Sequence, residues 1–559
     1  MRKELLNLVL GDAAREKALQ SLLSGVITSF QESSELERKI NSYLKLVPLL
    51  GEVFKRKVRV KIAGREYPLA LKRSTTEELL TSFNSVKNSW IVAVDETQSS
   101  AELLLGHSSF FTGSLAFGMK VSDSSKDRER LLGVVSSFKV FEDEKLTKNK
   151  LELQTYLQNL LVALYSALIL SSQGERVYAI FLDGPLIRAL HHLLFVTFTV
   201  EELQPLFTLD PELSAPWATK TFPSHFLGSP LTASKLADGS LLSELLNHPS
   251  YDSLLNRIEL RPELLPRFEA NLHQLKAKRV VPGLFLYFAL LRLLTDFAAQ
   301  RGILLIGAVK LSHMTKEFIR FYYSRAFAKL ADRSRSFRLK LYETGLFSPE
   351  DRFSEKLKKG ELERVFVEEM SLTDDHLLTF CLNYSPQEAY FTEPFEIRRY
   401  RSKSVNFEEV FLAEEEYPIG SSPYGSASGE LQDYWLERTL LKNLLPQDSY
   451  RFYMSFIRTS DLKFPLRVEF PQKSLPRLRE ITNLTYTLSS VYRNYGIPVI
   501  LKYADELVRV PTSLISRLSK GLIREKLLKE LLAVGGGFDS HGELIKSLIY
   551  NFKRDFYSR

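Results

Sequence analysis

IVAVDETQSS, residues 91–100, sets four apolar residues before two adjacent acids, Asp95 and Glu96, and then four polar residues. A short apolar run bounded by polar residues reads as a buried strand, and the acids stand where that strand ends. A loop that begins where the sheet stops explains such a pair as readily as chemistry does. The flanking sequence decides between them.

Downstream, SFFTGSLAFGMKV (109–121) and LLGVVSSFKVF (131–141) are two more strand-like runs joined by a polar connector, so an antiparallel three-stranded meander is expected. LELQTYLQNLLVALYSALIL (151–170) is apolar over a wide face and free of Gly and Pro, which predicts a long, largely buried helix. VYAIFLDG (177–184) is another buried strand that stops on an acid, Asp183. VPGLFLYFALLRLLTDFAAQRG (281–302) carries Pro near its start and Gly past its end, as helices do, and ILLIGAVKLS (303–312) supplies the next strand.

Upstream, residues 1–50 place leucines at helical spacing, and VRVKIAGREYPLAL (58–71) alternates around an Ala-Gly turn, so a helical lead-in and a small hairpin are expected. Residues 330–365 are rich in Arg, Lys and Glu and predict a solvated helical excursion, residues 366–412 a β-rich inserted subdomain, and residues 420–430 a flexible loop. In FIRFYYSRAFAKLADRSRSFRLK (318–340) basic and aromatic residues interleave; a surface that tracks phosphates and stacks bases, or a helix with a buried aromatic stripe, explains the same letters.

A strand ending at Asp95, two further strands, a long helix with Glu152 in its first turn and a strand ending at Asp183 follow one another in the order of RNase H-like nuclease cores. The expected fold class is therefore α/β: an RNase H-like mixed sheet flanked by helices, with a helical N-terminal extension and an inserted subdomain. Its domain division is 1–88 for the extension, 89–329 and 441–559 for the two parts of the core, and 330–440 for the charged and β-rich insertion. The chemistry gives the acids a reason to meet. Phosphodiester hydrolysis by two divalent ions needs several converging hard oxygen ligands, and strand ends place them rigidly.

The motifs AVDETQSS, KLELQTYL, FLDGPL, GAVKLS, LTDDHLLTFCL, RFYMSFIR, PLRVEFP and GIPVILKYADELVRV resemble, in sequence and order, the successive motifs of NurA-type nucleases, from about residue 90 to residue 510. The resemblance implies a manganese-dependent DNA nuclease, with Mn2+ or Mg2+ as cofactor and two ions per site. It implies action on single strands and duplex ends, a homodimer, and a HerA-type hexameric ATPase as partner in processing broken DNA. It implies Asp95, Glu152 and Asp183 as metal ligands and catalytic acids. At the C-terminal motif, where the family carries a histidine, this chain has Ala504-Asp505, so Asp505 takes that place as a carboxylate ligand. Glu96 and Thr97 stand where Gly and Ser are common in the first motif, and DGPL stands for DGSL. Lys310, Tyr453 and Arg467 fall in matching segments and are candidates for DNA contact, against ordinary strand positions. The rival reading is a DNA-binding clamp subunit of the same fold whose altered motifs no longer support turnover.

The composition fits this reading. Seventy-five basic against 67 acidic residues give a net charge of +8, a slight lean towards polyanionic partners. The single cysteine, Cys381, excludes an intramolecular disulfide or a cysteine-rich zinc site. The apolar runs 160–170 and 284–291 fall short of the ~20 residues of a spanning helix, so no membrane and a cytoplasmic protein are expected. His191 and His192 read as a partly exposed pair on a helix rather than metal ligands. His313 and His376 lack the spacing of a zinc protease, and Gly535 to Gly537 lack the Lys-Ser/Thr of a phosphate-binding loop.

Overall fold

The computed structural model describes residues 34–509 except 63, 103–107, 123–128, 142–143, 189–190, 209–219, 261, 269, 311–315, 382–388, 398–439, 441–442, 447–449, 460–464 and 492–495. The loop at 420–430, the triple glycine, His313 and the first 33 positions of the lead-in lie outside the described residues.

After a helix over Ser34–Leu50 (α1), the expected hairpin forms from β1 (Arg59–Ile62) and β2 (Arg65–Pro68). β3 (Leu71–Ser74) then leads into α2 (Thr76–Ser85), which opens on a capping box of Thr75 and Glu78. The apolar run of the opening motif lies in the first half of β4 (Ser89–Glu102), which does not stop at Asp95 as expected but continues to Glu102 because β5 (Ser108–Val121) pairs with it along its whole length; β6 (Glu129–Phe141) completes the antiparallel meander. The long helix α3 (Glu144–Ser172) returns the chain so that β7 (Val177–Asp183) lies parallel to β4. A short pair, β8 (Thr197–Thr199) with β9 (Val280–Pro282), precedes α4 (Gly283–Arg301), and β10 (Leu304–Val309) joins β7 in parallel.

The order β6-β5-β4-β7-β10, with the first three strands antiparallel and the last two added in parallel through helices, is the topology expected of the RNase H-like core. The sheet continues past it. β14 (Leu466–Pro471) pairs antiparallel with β10, followed outward by β13 (Phe452–Ile457), β11 (Ala389–Thr392) and β3, with β12 (Phe395–Glu396) also on β13, to make ten strands in all.

Strand alternation sends the side chains to two layers. Trp90, Val92 and Val94 pack with α3 and α4, while Ile91 and Ala93 join Ala179, Phe181, Ile306 and Ala308 under α6 (Leu478–Ser490) and α7 (Val499–Val508). Helices 148–172 and 283–301 are longer than the apolar runs marked in the sequence and pass for membrane spans by length and composition. Both are core helices here, largely buried between sheet and neighbouring helices.

The stretch expected to form a β-rich subdomain differs. Its described part is helical through Cys381, and β11 and β12 enter the main sheet instead of making one of their own. The aromatic residues of 318–340 resolve the choice left by the sequence. Phe318, Tyr322, Tyr323, Phe327 and Phe337 are fully buried in a third core with α1 and the 353–378 helices, so none is available to stack a base.

That third core is entered through a buried acid. Asp374 accepts hydrogen bonds from the backbone N–H groups of Phe318 (3.1 Å) and Ile319 (3.0 Å), supplying acceptors to the helical turn that begins there. Burial pushes its carboxyl up to about 6, against those two bonds and Arg467. A carboxyl whose folded pKa lies above its unfolded value of about 3.9 favours folding while protonated; that contribution is complete below pH 4 and is lost as pH rises through about 6. Between those limits the parent should lose roughly 3 kcal/mol relative to Asp374→Asn, as urea denaturation across the range would show. Parallel stability curves for the two proteins would contradict this.

Candidate active site

Asp95, Asp183 and Lys310 occupy equivalent places on three adjacent strands. Ile91 pairs with Ala179 and Ala93 with Phe181, so the next residues on the same face are Asp95 and Asp183; Asp183 in turn pairs with Ala308, two residues before Lys310. The apolar layer under α6 and α7 thus ends on two carboxylates and one ammonium. Lys310 Nζ lies 2.5 Å from Asp183 Oδ2 and 3.7 Å from Asp95 Oδ2. Burial opposes its charge, but Asp183 and Asp95 outweigh that and raise its pKa.

Asp95 is only 2 % exposed. Its Oδ1 accepts the N–H of Glu96 at 2.7 Å, while Oδ2, also buried, accepts no hydrogen bond. Burial first, and the facing Asp183 carboxylate second, push its carboxyl far above the ordinary range. Two carboxylates forced together in a poorly solvated place ionise together only where more positive charge than one lysine is present. Asp505, on α7 where that helix crosses β4 and β5, adds its charge to those acting on Lys310 and is held by Arg509 through contacts of 3.1 and 2.6 Å.

Glu152 lies on the other face of the sheet, with Glu96. α3 packs against the Val92–Val94 face, and its first turns after Leu151 are unusually polar: Thr155 accepts from Gln98, Gln154 donates to Thr112 and Asn159 donates to Glu96. Glu152 is bonded by the Tyr156 hydroxyl and lies 3.1 Å from His192 Nε2. Burial pushes its carboxyl up, but these two bonds prevail and lower its pKa. His191 and His192 form a short 3-10 turn, and the sequence reading that set His192 aside missed its contact with Glu152.

The sequence also passed over Arg188. Its guanidinium grips Glu96 with both terminal nitrogens, at 3.0 and 2.9 Å, and reaches the carbonyl of Asp183 at 3.2 Å. The two other candidates for DNA contact are not at the surface. Arg467 is 3 % exposed and paired with Glu317 (3.0 Å) and Glu469 (2.6 Å); Tyr453 is 6 % exposed, its hydroxyl accepting from Arg65 at 3.2 Å. β13 and β14 are covered on both faces, which removes both side chains from any DNA path.

The donor chemistry fits a divalent cation at the Asp95–Asp183 pair: both ligands are hard carboxylate oxygens, and one of them is buried without a donor. Among the described residues no three acid, histidine or cysteine side chains are gathered closely enough to hold an ion by themselves. Asp95 and Asp183 are the two that would hold it; Asp505 faces Lys310 from α7, whereas Glu152 lies on the α3 face of the sheet.

Comparison with known proteins gives one family match: the NurA domain model matches residues 415–510. That segment contains β13, β14, α6, α7 and Asp505, whereas Asp95, Glu152 and Asp183 lie outside it. No curated protein matches the chain. Among solved structures, the NurA nuclease from Sulfolobus solfataricus is similar at 11 % identity and a TM-score of 0.37, covering 90 % of this chain and 98 % of that one. A structure of NurA with manganese is similar at 14 % identity and TM-score 0.24, over 83 % and 94 % of the two chains. One of NurA bound to dAMP and manganese is similar at 15 % and 0.25, over 78 % and 89 %.

Proposed function

We propose that the chain is a NurA-family protein and a metal-dependent deoxyribonuclease acting on DNA ends and single strands, a reading supported by the NurA domain match over residues 415–510. The observation that carries this reading is the pair of facing carboxylates, Asp95 and Asp183, at the edge of an RNase H-like sheet, one oxygen of which is buried and unbonded. A structural ion pair has no use for two acids on one lysine in so dry a place.

When bound, Mn2+ or Mg2+ would supply the concentrated positive charge that activates water and stabilises the departing oxygen. Asp95 and Asp183 hold that charge at the sheet edge. Lys310, on the same face, is placed to contact a phosphate oxygen as a point charge once its carboxylates have another partner. Asp505 closes the site from α7 as a carboxylate, while Glu152, the ligand that the family resemblance implies, joins the metal only if it reaches past the sheet edge from the α3 face. Water is the nucleophile and no covalent intermediate forms. Two ions per site, 5'-3' digestion from ends, a homodimer, a HerA-type translocating ATPase as partner in double-strand break repair, and a cytoplasmic location complete the proposal.

The test is hydrolysis of labelled single-stranded and blunt duplex oligonucleotides by the parent protein with Mn2+, with Mg2+ and with EDTA. Cleavage with either metal and none in EDTA is expected. A parent that retains DNA yet cuts nothing under any condition would instead favour the clamp reading, for which the Asp505 position gives a motive.

A further inference from the structure

Arg188 joins three of the four elements that carry the candidate acids, β4, β7 and α3. It follows β7 by five residues, and the chain must double back for it to reach Glu96. Gly184 makes that possible: at φ +93° it turns where other residues are strained, and a Cβ there would lie 3.2 Å from the Arg188 guanidinium. The turn is fastened from several sides. Gly184 N–H donates to Ala308 (2.9 Å), the Leu186 carbonyl accepts the Tyr287 hydroxyl (2.9 Å), and Ile187 N–H reaches Glu469 (3.4 Å).

At the end of this turn the guanidinium lies over the Tyr156 ring, 3.8 Å from its centre, while Tyr156 bonds Glu152. One planar group therefore touches the residue after Asp95, the carbonyl of Asp183 and the aromatic partner of Glu152. Its side chain is 15 % exposed and that of Glu96 is 22 %, so the pair is largely withdrawn from solvent and costs desolvation on both sides. Only the fork geometry of arginine meets a carboxylate with two nitrogens while a third contact goes to a carbonyl.

We infer that Arg188 is a positioning residue for the metal seat: through Glu96 and the Asp183 carbonyl it fixes the separation of the Asp95 and Asp183 carboxylates. This rests on the nuclease reading above. It assigns Arg188 no contact with DNA, and it makes Glu96 its anchor rather than a ligand.

The test measures Mn2+ binding by calorimetry without DNA, alongside kcat, KM and DNA affinity in EDTA, for the parent, Arg188→Lys, Arg188→Met, Glu96→Gln and the Arg188→Met/Glu96→Gln double variant. Removing such an outer partner typically weakens metal affinity by about 10- to 100-fold. Arg188→Met should therefore raise the Mn2+ dissociation constant at least about tenfold and lower kcat, with KM and DNA affinity in EDTA within about twofold of the parent. Arg188→Lys, which keeps charge but loses the fork, should fall between. The double variant should be no worse than the worse single one, because the pair acts as a unit. If Arg188→Met does not fold, Glu96→Gln alone must show the weakened Mn2+ binding. Unchanged Mn2+ binding in a variant of a parent that binds Mn2+ overturns this inference alone, as does a defect confined to DNA affinity. A parent that binds no Mn2+ overturns the nuclease reading and this inference with it.

Discussion

Asp95→Asn and Asp183→Asn should each reduce DNA hydrolysis by roughly three orders of magnitude or more, about 4 kcal/mol of transition-state stabilisation, with DNA affinity retained. An amide keeps the shape of the carboxyl but brings no charge to a divalent ion. The two variants should differ in stability. Asp95 is buried against a second acid, so its neutral replacement relieves repulsion that the parent endures, and Asp95→Asn should melt above the parent in the absence of metal. Asp183 holds Lys310 at 2.5 Å, so Asp183→Asn leaves that buried ammonium leaning on Asp95 alone and gains no such benefit. Thermal melts in EDTA and single-turnover cleavage with Mn2+ check both halves. More than a tenth of parental activity in either variant would remove the acids from the chemistry.

Gly307→Ala should cost about 3 kcal/mol of stability and weaken Mn2+ binding as well. A Cβ at this position on β10 would lie 2.7 Å from the Leu186 nitrogen and 2.9 Å from the Gly184 oxygen. Both obstacles are backbone, and both belong to the turn that leaves Asp183. That turn cannot recede without breaking the bonds to Ala308 and Tyr287 that hold it, so the methyl group must displace β7 or β10. The cost sits at the upper end for overpacking because no flexible side chain can yield. Urea denaturation measures the first effect and calorimetry the second; a variant with the parental midpoint and parental Mn2+ affinity would show that the turn is more pliant than its contacts imply.

The ends of β7 and β10 were legible because each is an apolar run closed abruptly by a charged residue; β4 does not stop at Asp95 as expected but runs on beside β5 to Glu102, and only its parallel pairing with β7 ends, at Val94. The place of Glu152 was not legible. A helix apolar nearly all round does not reveal which side meets the sheet, and only the register of α3 against β4 sends Glu152 to the Glu96 face. Arg188 was hidden for a related reason: nothing in FLDGPLIR says that the turn folds back on the preceding strand. Tyr453 and Arg467 were candidates only because their segments match the family's motifs; they take the alternative, ordinary strand positions, because β13 and β14 are roofed on both sides and their polar groups are paired internally. In 318–340 the aromatic stripe outweighed the basic letters, since five large rings have more to gain from leaving water than from waiting for a ligand.

β14 completes the flank of β10 from far along the chain, and α6 and α7 roof the lower face only after it. A ribosome therefore delivers β4 to β10 with one hydrogen-bonding border bare and a sheet of Ile, Phe and Ala open to solvent. An unpaired strand border and an uncovered apolar face are the features that promote self-association during folding. The chain at that stage also lacks the helix that carries Asp505, so on the reading proposed above the site is assembled only once that helix has joined the sheet.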